Sequence, residues 1–188
     1  MPLPQRARYS YADLIAWPEN ERYELYDGFL RALASPSVPQ QEISGELFRQ
    51  LANFLADKPC RVYAAPVDVR LFDSPGDTPE DVDTVVVPDL LVVCDRGKID
   101  RRGIRGAPDL VIEILSESSR RYDRHTKLGL YESAGFREYW IADPERRTVE
   151  MFSLRDGGYG APAAYMAPAR LPVGILRGCT IELDRVFP

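Results

Sequence analysis

Two continuous aliphatic runs each enclose an acid: Asp89 in VVVPDLLVV and, beyond the Asp109 that opens its run, Glu113 in PDLVIEIL. Runs of this composition form strands buried on both faces of a sheet. An ionised carboxylate in such a place is costly unless something opposes its charge. The two strands are joined by one connection, so the acids point to a shared partner, and a divalent metal is the economical candidate. The bland alternative is a structural ion pair between each acid and a nearby arginine.

Pro88 interrupts the first run, where proline cannot donate to the ladder and belongs at an edge, a bulge or a bend. A bend just before Asp89 aims its carboxylate out of the sheet, as bulges beside active sites do. Period-two alternation puts Glu113 on one face with Asp109, Val111 and Leu115. If the strands, about Thr84–Cys94 and Asp109–Leu115, are neighbours, the two acids converge on one ion. Mg²⁺ takes oxygen ligands and keeps several waters, so two carboxylates and a substrate phosphate suffice. Lys127 lies fourteen positions beyond Glu113, inside the following helix. A right-handed return over the sheet brings it beside the acids. Its bland reading is an i, i+4 pair with Asp123.

A length of 188 residues with 45% hydrophobic content fits one domain, 1–188, with a substantial core. No run approaches transmembrane length and MPLPQRARYSYADLIAW has no apolar leader, so a cytoplasmic protein without membrane contact is expected. Cys60, Cys94 and Cys179 lack metal-ligand spacing and read as reduced, mostly buried thiols. A single histidine, His125, disfavours a His/Cys zinc site. The net charge of −5 argues mildly against nucleic acid, but it is unevenly spread. Segment 96–127 holds nine basic residues against five acids, while the rest holds 15 against 24. That basic surplus flanks the buried acids and suits a polyanion; the bland reading is a set of solvated arginines.

Along the chain, Ser10 caps a short helix, YADLIAW, stopped by Pro18. RYELYDGFLRALA alternates as a hairpin with Asp27-Gly28 in its turn. From Gln40 to about Lys58, the stripe Ile43, Leu47, Leu51, Phe54 and Leu55 predicts an amphipathic helix ended by Pro59. CRVYAAPVDVRLF is strand-like, DSPGDTPEDVD an exposed loop, and DRGKIDRRGIRGAP a charged connection. A second helix starts at Ser118 or Ser119 and closes at Gly135. REYWIAD and TVEMFSL follow as strands around an Asp143-Pro144 turn, with short strands near Tyr165 and at CTIEL. This mixed order predicts an α/β (α+β) fold, a central mixed β-sheet flanked by helices. No serine sits in a nucleophile-elbow context, which disfavours a Ser/His/Asp hydrolase. Tyr139 and Trp140 read as core.

The series YELYDGFL, SPSVPQQEISGELFRQL, VVPDLLVV and APDLVIEILSESSRRYDRHTKLGLYESAGFREYWIADP resembles the Uma-two family of restriction-endonuclease-like proteins. That family lies within the PD-(D/E)xK phosphodiesterase superfamily. The resemblance runs from about Tyr9 to Val149 and into the tail. Each short motif alone is weak; four in the right order are specific. The resemblance implies a restriction-endonuclease-like core, with Asp89 as the aspartate of the PD motif and Glu113 as the acid of (D/E)xK. The x-K positions read Ile114-Leu115 here, and the resemblance implies that the lysine has moved to Lys127. Glu24 matches a family acid that supplies a further carboxylate on the metal side. Gln40 stands where relatives often carry histidine. It can hydrogen-bond a phosphate or water but does not titrate near neutrality.

The expectation is a metal-dependent phosphodiesterase, specifically a DNA endonuclease, with Asp89 and Glu113 holding Mg²⁺ (or Mn²⁺) and the Ile114 carbonyl completing the protein ligands. Lys127 would orient the attacking water and stabilise negative charge. Glu24 would serve a second metal or the metal's water, and Arg120, Arg121 and Arg124 would touch backbone phosphates. A rival reading is a catalytically silent nuclease-fold module that binds nucleic acid or a protein partner, which the acidic net charge favours. Another is a phosphodiesterase acting on RNA or a small phosphoester. Homodimerisation is compatible with cutting both strands.

Overall fold

The computed structural model describes residues 8–17 and 21–187. Pro18 and the first seven residues of the expected leaderless N-terminus lie outside the described residues. In chain order the elements begin with α1 (Tyr11–Ile15), β1 (Tyr23–Tyr26), β2 (Phe29–Ala32) and α2 (Val38–Leu55). Next come β3 (Arg61–Ala64), β4 (Val69–Arg70), β5 (Val85–Val86), β6 (Leu90–Val93), β7 (Ile99–Asp100), β8 (Gly103–Arg105) and β9 (Leu110–Ile114). A π-helical segment, Tyr122–Lys127, runs directly into α3 (Leu128–Ala134). The chain continues through β10 (Glu138–Asp143), β11 (Thr148–Arg155), β12 (Gly158–Tyr159), β13 (Ala163–Met166), β14 (Arg170–Pro172), β15 (Thr180–Glu182) and α4 (Leu183–Val186).

The central sheet has seven strands in the order β12-β11-β10-β9-β6-β3, with β13 on the far side of β11. It is mixed, because β9 and β10 run parallel while β6 pairs antiparallel with both β3 and β9. Alternation along its strands divides the core in two. Leu90, Val92, Leu110, Ile112 and Ile114 pack against the α2 stripe Ile43, Leu47, Leu51 and Leu55. Leu91, Val93, Val111 and Leu115 pack with Leu130 and Tyr131 of α3. Covered on both faces, these strands need the aliphatic composition that marks them in the sequence. The predicted mixed sheet between helices is therefore observed. Helix α2 starts two residues earlier than Gln40, because Ser37 and Gln40 cap its entrance reciprocally. Gly135 ends α3 in the left-handed region at φ 82°.

The structure corrects the strand expected over Thr84–Cys94. It is two strands in different sheets: β5 belongs to a six-stranded sheet, β2-β1-β5-β4-β8-β7, and β6 to the central one. Val87, Pro88 and Asp89 carry the chain across, since Pro88 has no N–H for either ladder. CRVYAAPVDVRLF is likewise split into β3 and β4, and the charged connection supplies β7 and β8. The thiol expectation is also corrected. Register pairing Arg61 with Val93 puts Cys60 opposite Cys94, and the two form a disulfide, whereas Cys179 is a buried free thiol. These cysteines are 34 residues apart, so only strand register reveals their meeting. Among the described residues, no helix is long and apolar enough to cross a membrane.

Candidate active site

Strands β6 and β9 pair with Leu90 opposite Ile112, which sets Asp89 at the end of that ladder beside Glu113. Asp89 Oδ2 accepts the Ile114 N–H at 2.7 Å, so the bend at Pro88 turns the carboxylate onto the neighbouring strand. Glu113 sits on the α3 face of β9, between Val111 and Leu115, and is only 4% exposed. Its Oε1 accepts from Lys127 Nζ at 2.8 Å and from the Tyr131 hydroxyl at 2.6 Å.

The helix that brings Lys127 there enters through Ser116 and Ser119, which exchange hydrogen bonds, each hydroxyl accepting the other residue's N–H at 3.1 Å. It then widens into the π-helical segment, a distortion that recurs at functional sites. Within it Asp123 and Lys127 are both buried. Lys127 Nζ also lies 2.8 Å from Glu24 Oε1 and 3.8 Å from Asp123 Oδ1. The i, i+4 pair is thus real but the longest of the three contacts.

Glu24 arrives on β1, fully buried. Its Oε1 accepts the Val87 N–H at 3.1 Å, and its Oε2 accepts from Arg31 Nη1 at 3.2 Å. Arg31 faces Glu24 across the hairpin, and its guanidinium stacks over the Tyr122 ring at 3.8 Å.

Four carboxylates, of Glu24, Asp89, Glu113 and Asp123, therefore surround one ammonium and one guanidinium. Burial opposes the Lys127 charge, but Glu113, Glu24 and Asp123 outweigh it and hold the ammonium protonated above the usual lysine range. Burial pushes Asp89 up to about 6; the Ile114 N–H and Lys127 pull it down, while Asp123 and Glu24 push it up. Glu113 is raised well above the carboxylate range, again by burial first and then by Asp123, Asp89 and Glu24, against the pull of Lys127. The site has too little positive charge for its acids, which is the condition a divalent cation relieves.

All of these groups except Glu24 line a cleft of about 490 Å³, which Ile114 also borders. Among the described residues no three His, Cys, Asp or Glu side chains converge as a ready-made metal cage. The donor set still fits Mg²⁺ or Mn²⁺: hard oxygens of Asp89, Glu113 and the Ile114 carbonyl, with water and substrate oxygens completing the shell.

The structure thus brings Glu24, Asp89, Glu113 and Lys127 together. Gln40 also reaches the site, but both ends of its amide are engaged. Its Nε2 donates to the Ile114 carbonyl at 3.2 Å, while its Oε1 accepts the Ser37 N–H. The three arginines are not brought into the cleft with the acids. Arg120 donates to Asp143 at 2.6 Å and Glu145 at 2.8 Å, Arg124 pairs with Glu150, and Arg121 is exposed. Sequence reasoning missed Arg31, Asp123 and Tyr131 as members of the site. The Arg31 signal was present, because an Asp27-Gly28 hairpin turn places residue 24 opposite residue 31. Tyr131 gave none, since it reads as one more apolar position of its helix.

A fold of this kind with this acid–lysine cluster is that of a restriction-endonuclease-like protein. The family described as "Putative restriction endonuclease" (Uma2) matches residues 11–184, and the chain belongs to it. An uncharacterized protein of Synechocystis sp. (strain ATCC 27184 / PCC 6803 / Kazusa), slr1290, is 24% identical over 189 residues, covering 99% of this chain and 93% of that one. The crystal structure of a putative nuclease belonging to DUF820 from Anabaena variabilis ATCC 29413 superposes with a TM-score of 0.74 at 18% identity, covering 95% and 97% of the two chains.

Proposed function

We propose that this protein is a metal-dependent nuclease that hydrolyses backbone phosphodiesters of DNA. The observation that carries the reading is the meeting of Asp89, Glu113 and Lys127, from two paired strands and a π-helical turn, in one cleft. Asp89, Glu113 and the Ile114 carbonyl would hold Mg²⁺ or Mn²⁺, which activates water and offsets charge on the transferring phosphoryl group when bound. Gln40 holds that carbonyl, and the Ile114 N–H holds Asp89, so the peptide groups on both sides of the Ile114 Cα are fixed.

Lys127 remains protonated and presents its ammonium to the attacking water and to the charge that develops on phosphorus-bound oxygen. Tyr131 fixes the Glu113 carboxylate, and Arg31 fixes Glu24, so neither acid reorganises during the reaction. Membership of a family described as putative restriction endonucleases supports the substrate class.

The test is incubation of supercoiled plasmid with purified protein and Mg²⁺ or Mn²⁺, with EDTA, Asp89→Asn and Lys127→Ala as controls. Metal-dependent nicking lost in both variants is expected. Nicking that survives Asp89→Asn would place the activity elsewhere. DNA binding without nicking under any metal would point to a non-cutting module.

A further inference from the structure

A second cleft, also about 490 Å³, adjoins the first and shares Arg22 and Val87 with it. Val87 is two residues before Asp89, at most about 7 Å along an extended chain. Its lining differs in kind from that of the acidic site. Trp17 and Tyr23 contribute their rings, packed edge to face with centroids 5.5 Å apart. Arg101 and Arg102 contribute exposed guanidinium groups at the tip of the β7–β8 hairpin.

The hairpin tip is held in place. The Tyr11 hydroxyl shares its one proton between Asp68 Oδ2 at 2.8 Å and the Arg102 carbonyl at 3.1 Å. Gly103, at φ +129°, lies so close to Asp68 that a Cβ would meet its carbonyl oxygen at 2.2 Å. Any other residue at 103 would force this hairpin and the Asp68 backbone apart. Carboxylates are present as well: Glu21 Oε2 accepts the Trp17 indole N–H at 3.2 Å and the Tyr23 hydroxyl at 2.9 Å.

Aromatic faces, guanidinium groups and carboxylate acceptors together match the three parts of a nucleotide: the π-face of a base, its phosphate, and the N–H groups on the base edge. Both clefts are of small-ligand volume rather than duplex width. Glu113 and Lys127 line the first and are nearly inaccessible, so a phosphodiester reaches them only as a thin strand.

We propose that the Trp17–Tyr23 cleft seats the base of an unpaired nucleotide beside the scissile phosphate, making single-stranded or locally unpaired DNA the substrate. This deepens the nuclease reading and rests on it. Negatively supercoiled plasmid supplies such unpaired segments.

Two tryptophans are present, and Trp140 is fully buried, which leaves Trp17 as the reporter. Full-length Asp89→Asn protein in EDTA is titrated with a short mixed-sequence single strand and with the same sequence as a blunt duplex. Intrinsic fluorescence and the anisotropy of a labelled strand are followed. The single strand should quench Trp17 and bind about tenfold more tightly than duplex. In the same background, Trp17→Ala and Arg101→Ala should each lose about tenfold of that affinity, with Trp17→Phe recovering most of it. Arg101 is on an exposed tip, so its variant tests the pocket even if Trp17→Ala misfolds.

Equal or tighter duplex binding with unmoved Trp17 fluorescence overturns the pocket, as does single-strand binding indifferent to Trp17 and Arg101. Either result leaves plasmid nicking by the wild-type protein as independent support for the nuclease. Single-strand binding through the pocket without metal-dependent nicking would uphold the pocket and sink the nuclease. Failure of both DNAs to bind, together with no nicking, overturns both.

Discussion

Lys127 Nζ sits 2.8 Å from Glu113 Oε1 in the interior, although the two residues are fourteen positions apart on different elements. The same ammonium touches Glu24 at 2.8 Å, so one cation serves two buried acids that share no sequence neighbourhood. Removing it takes the ion-pair partner from Glu113 and leaves Glu24 with Arg31 alone.

Lys127→Ala should abolish nicking, a fall of at least about 100-fold if the ammonium stabilises transition-state charge. It should also destabilise the metal-free protein by about 3–5 kcal/mol, because buried acids lose their partner. Mg²⁺ should recover a larger part of the Tm in the variant than in the wild type. Urea unfolding and thermal melts with and without Mg²⁺ read both effects. A variant as stable as wild type in EDTA would show that the acids are not relying on this charge.

Tyr131→Phe deletes one hydroxyl that donates to Glu113 at 2.6 Å and leaves the ring packing against Phe136 and Tyr139 intact. The fold should persist, at a cost of about 1–3 kcal/mol for the lost bond to a buried carboxylate. The Mg²⁺ concentration for half-maximal nicking should rise several-fold, while the rate at saturating Mg²⁺ changes little. A loss confined to the saturated rate would instead assign Tyr131 a role in the chemical step.

Asp89 is held up to about 6, against an ordinary 3.8, chiefly by burial. Its carboxyl binds a proton more tightly folded than unfolded, so this contribution to stability is full below about pH 4 and is lost as pH climbs through about 6. In EDTA, the wild type should therefore lose stability relative to Asp89→Asn across that window. At limiting Mg²⁺ nicking should fall as pH drops below about 6, because the ligand must ionise, and excess Mg²⁺ should move the midpoint lower. Urea titrations of both proteins at several pH values check the first part. Parallel pH slopes for the two proteins would assign the slope to other groups.

Arg120 and Arg31 should separate structural from substrate-facing roles. The Asp143 carboxylate is fully buried and held below the ordinary range, against the cost of burial, by Arg120 and by the N–H groups of Arg146 and Glu145. Arg120→Ala should then lower stability by about 1–3 kcal/mol and leave the salt dependence of DNA binding unchanged. Arg31→Ala, at the cleft wall, should reduce that salt slope by about one. Binding isotherms across a salt series, beside melts of the same variants, decide between the two assignments. A reduced slope for Arg120→Ala would restore it to the phosphate contacts expected from charge alone.

The buried strands and the acids set in them were legible because both signals are local. A run such as LVIEI is too apolar for a strand with a wet face, and its one acid is therefore conspicuous. The α2 stripe and the Gly135 terminus follow from helical period and backbone sterics in the same way. The family resemblance supplied Glu24 and decided between the two readings of Lys127, which chain geometry had brought near the acids but had not separated from a pair with Asp123. Local patterning could not say that Pro88 hands the chain from one sheet to another, since the residues on both sides are equally apolar. Nor could it choose partners for Arg120 and Arg124, or pair Cys60 with Cys94, because those contacts depend on strand register. The sequence by itself determined which segments must be buried and which of them carry charge, through side-chain hydrophobicity and short-range periodicity. Only the tertiary structure decided which charges meet, because Coulombic pairing acts between atoms a few ångströms apart whatever their distance along the chain.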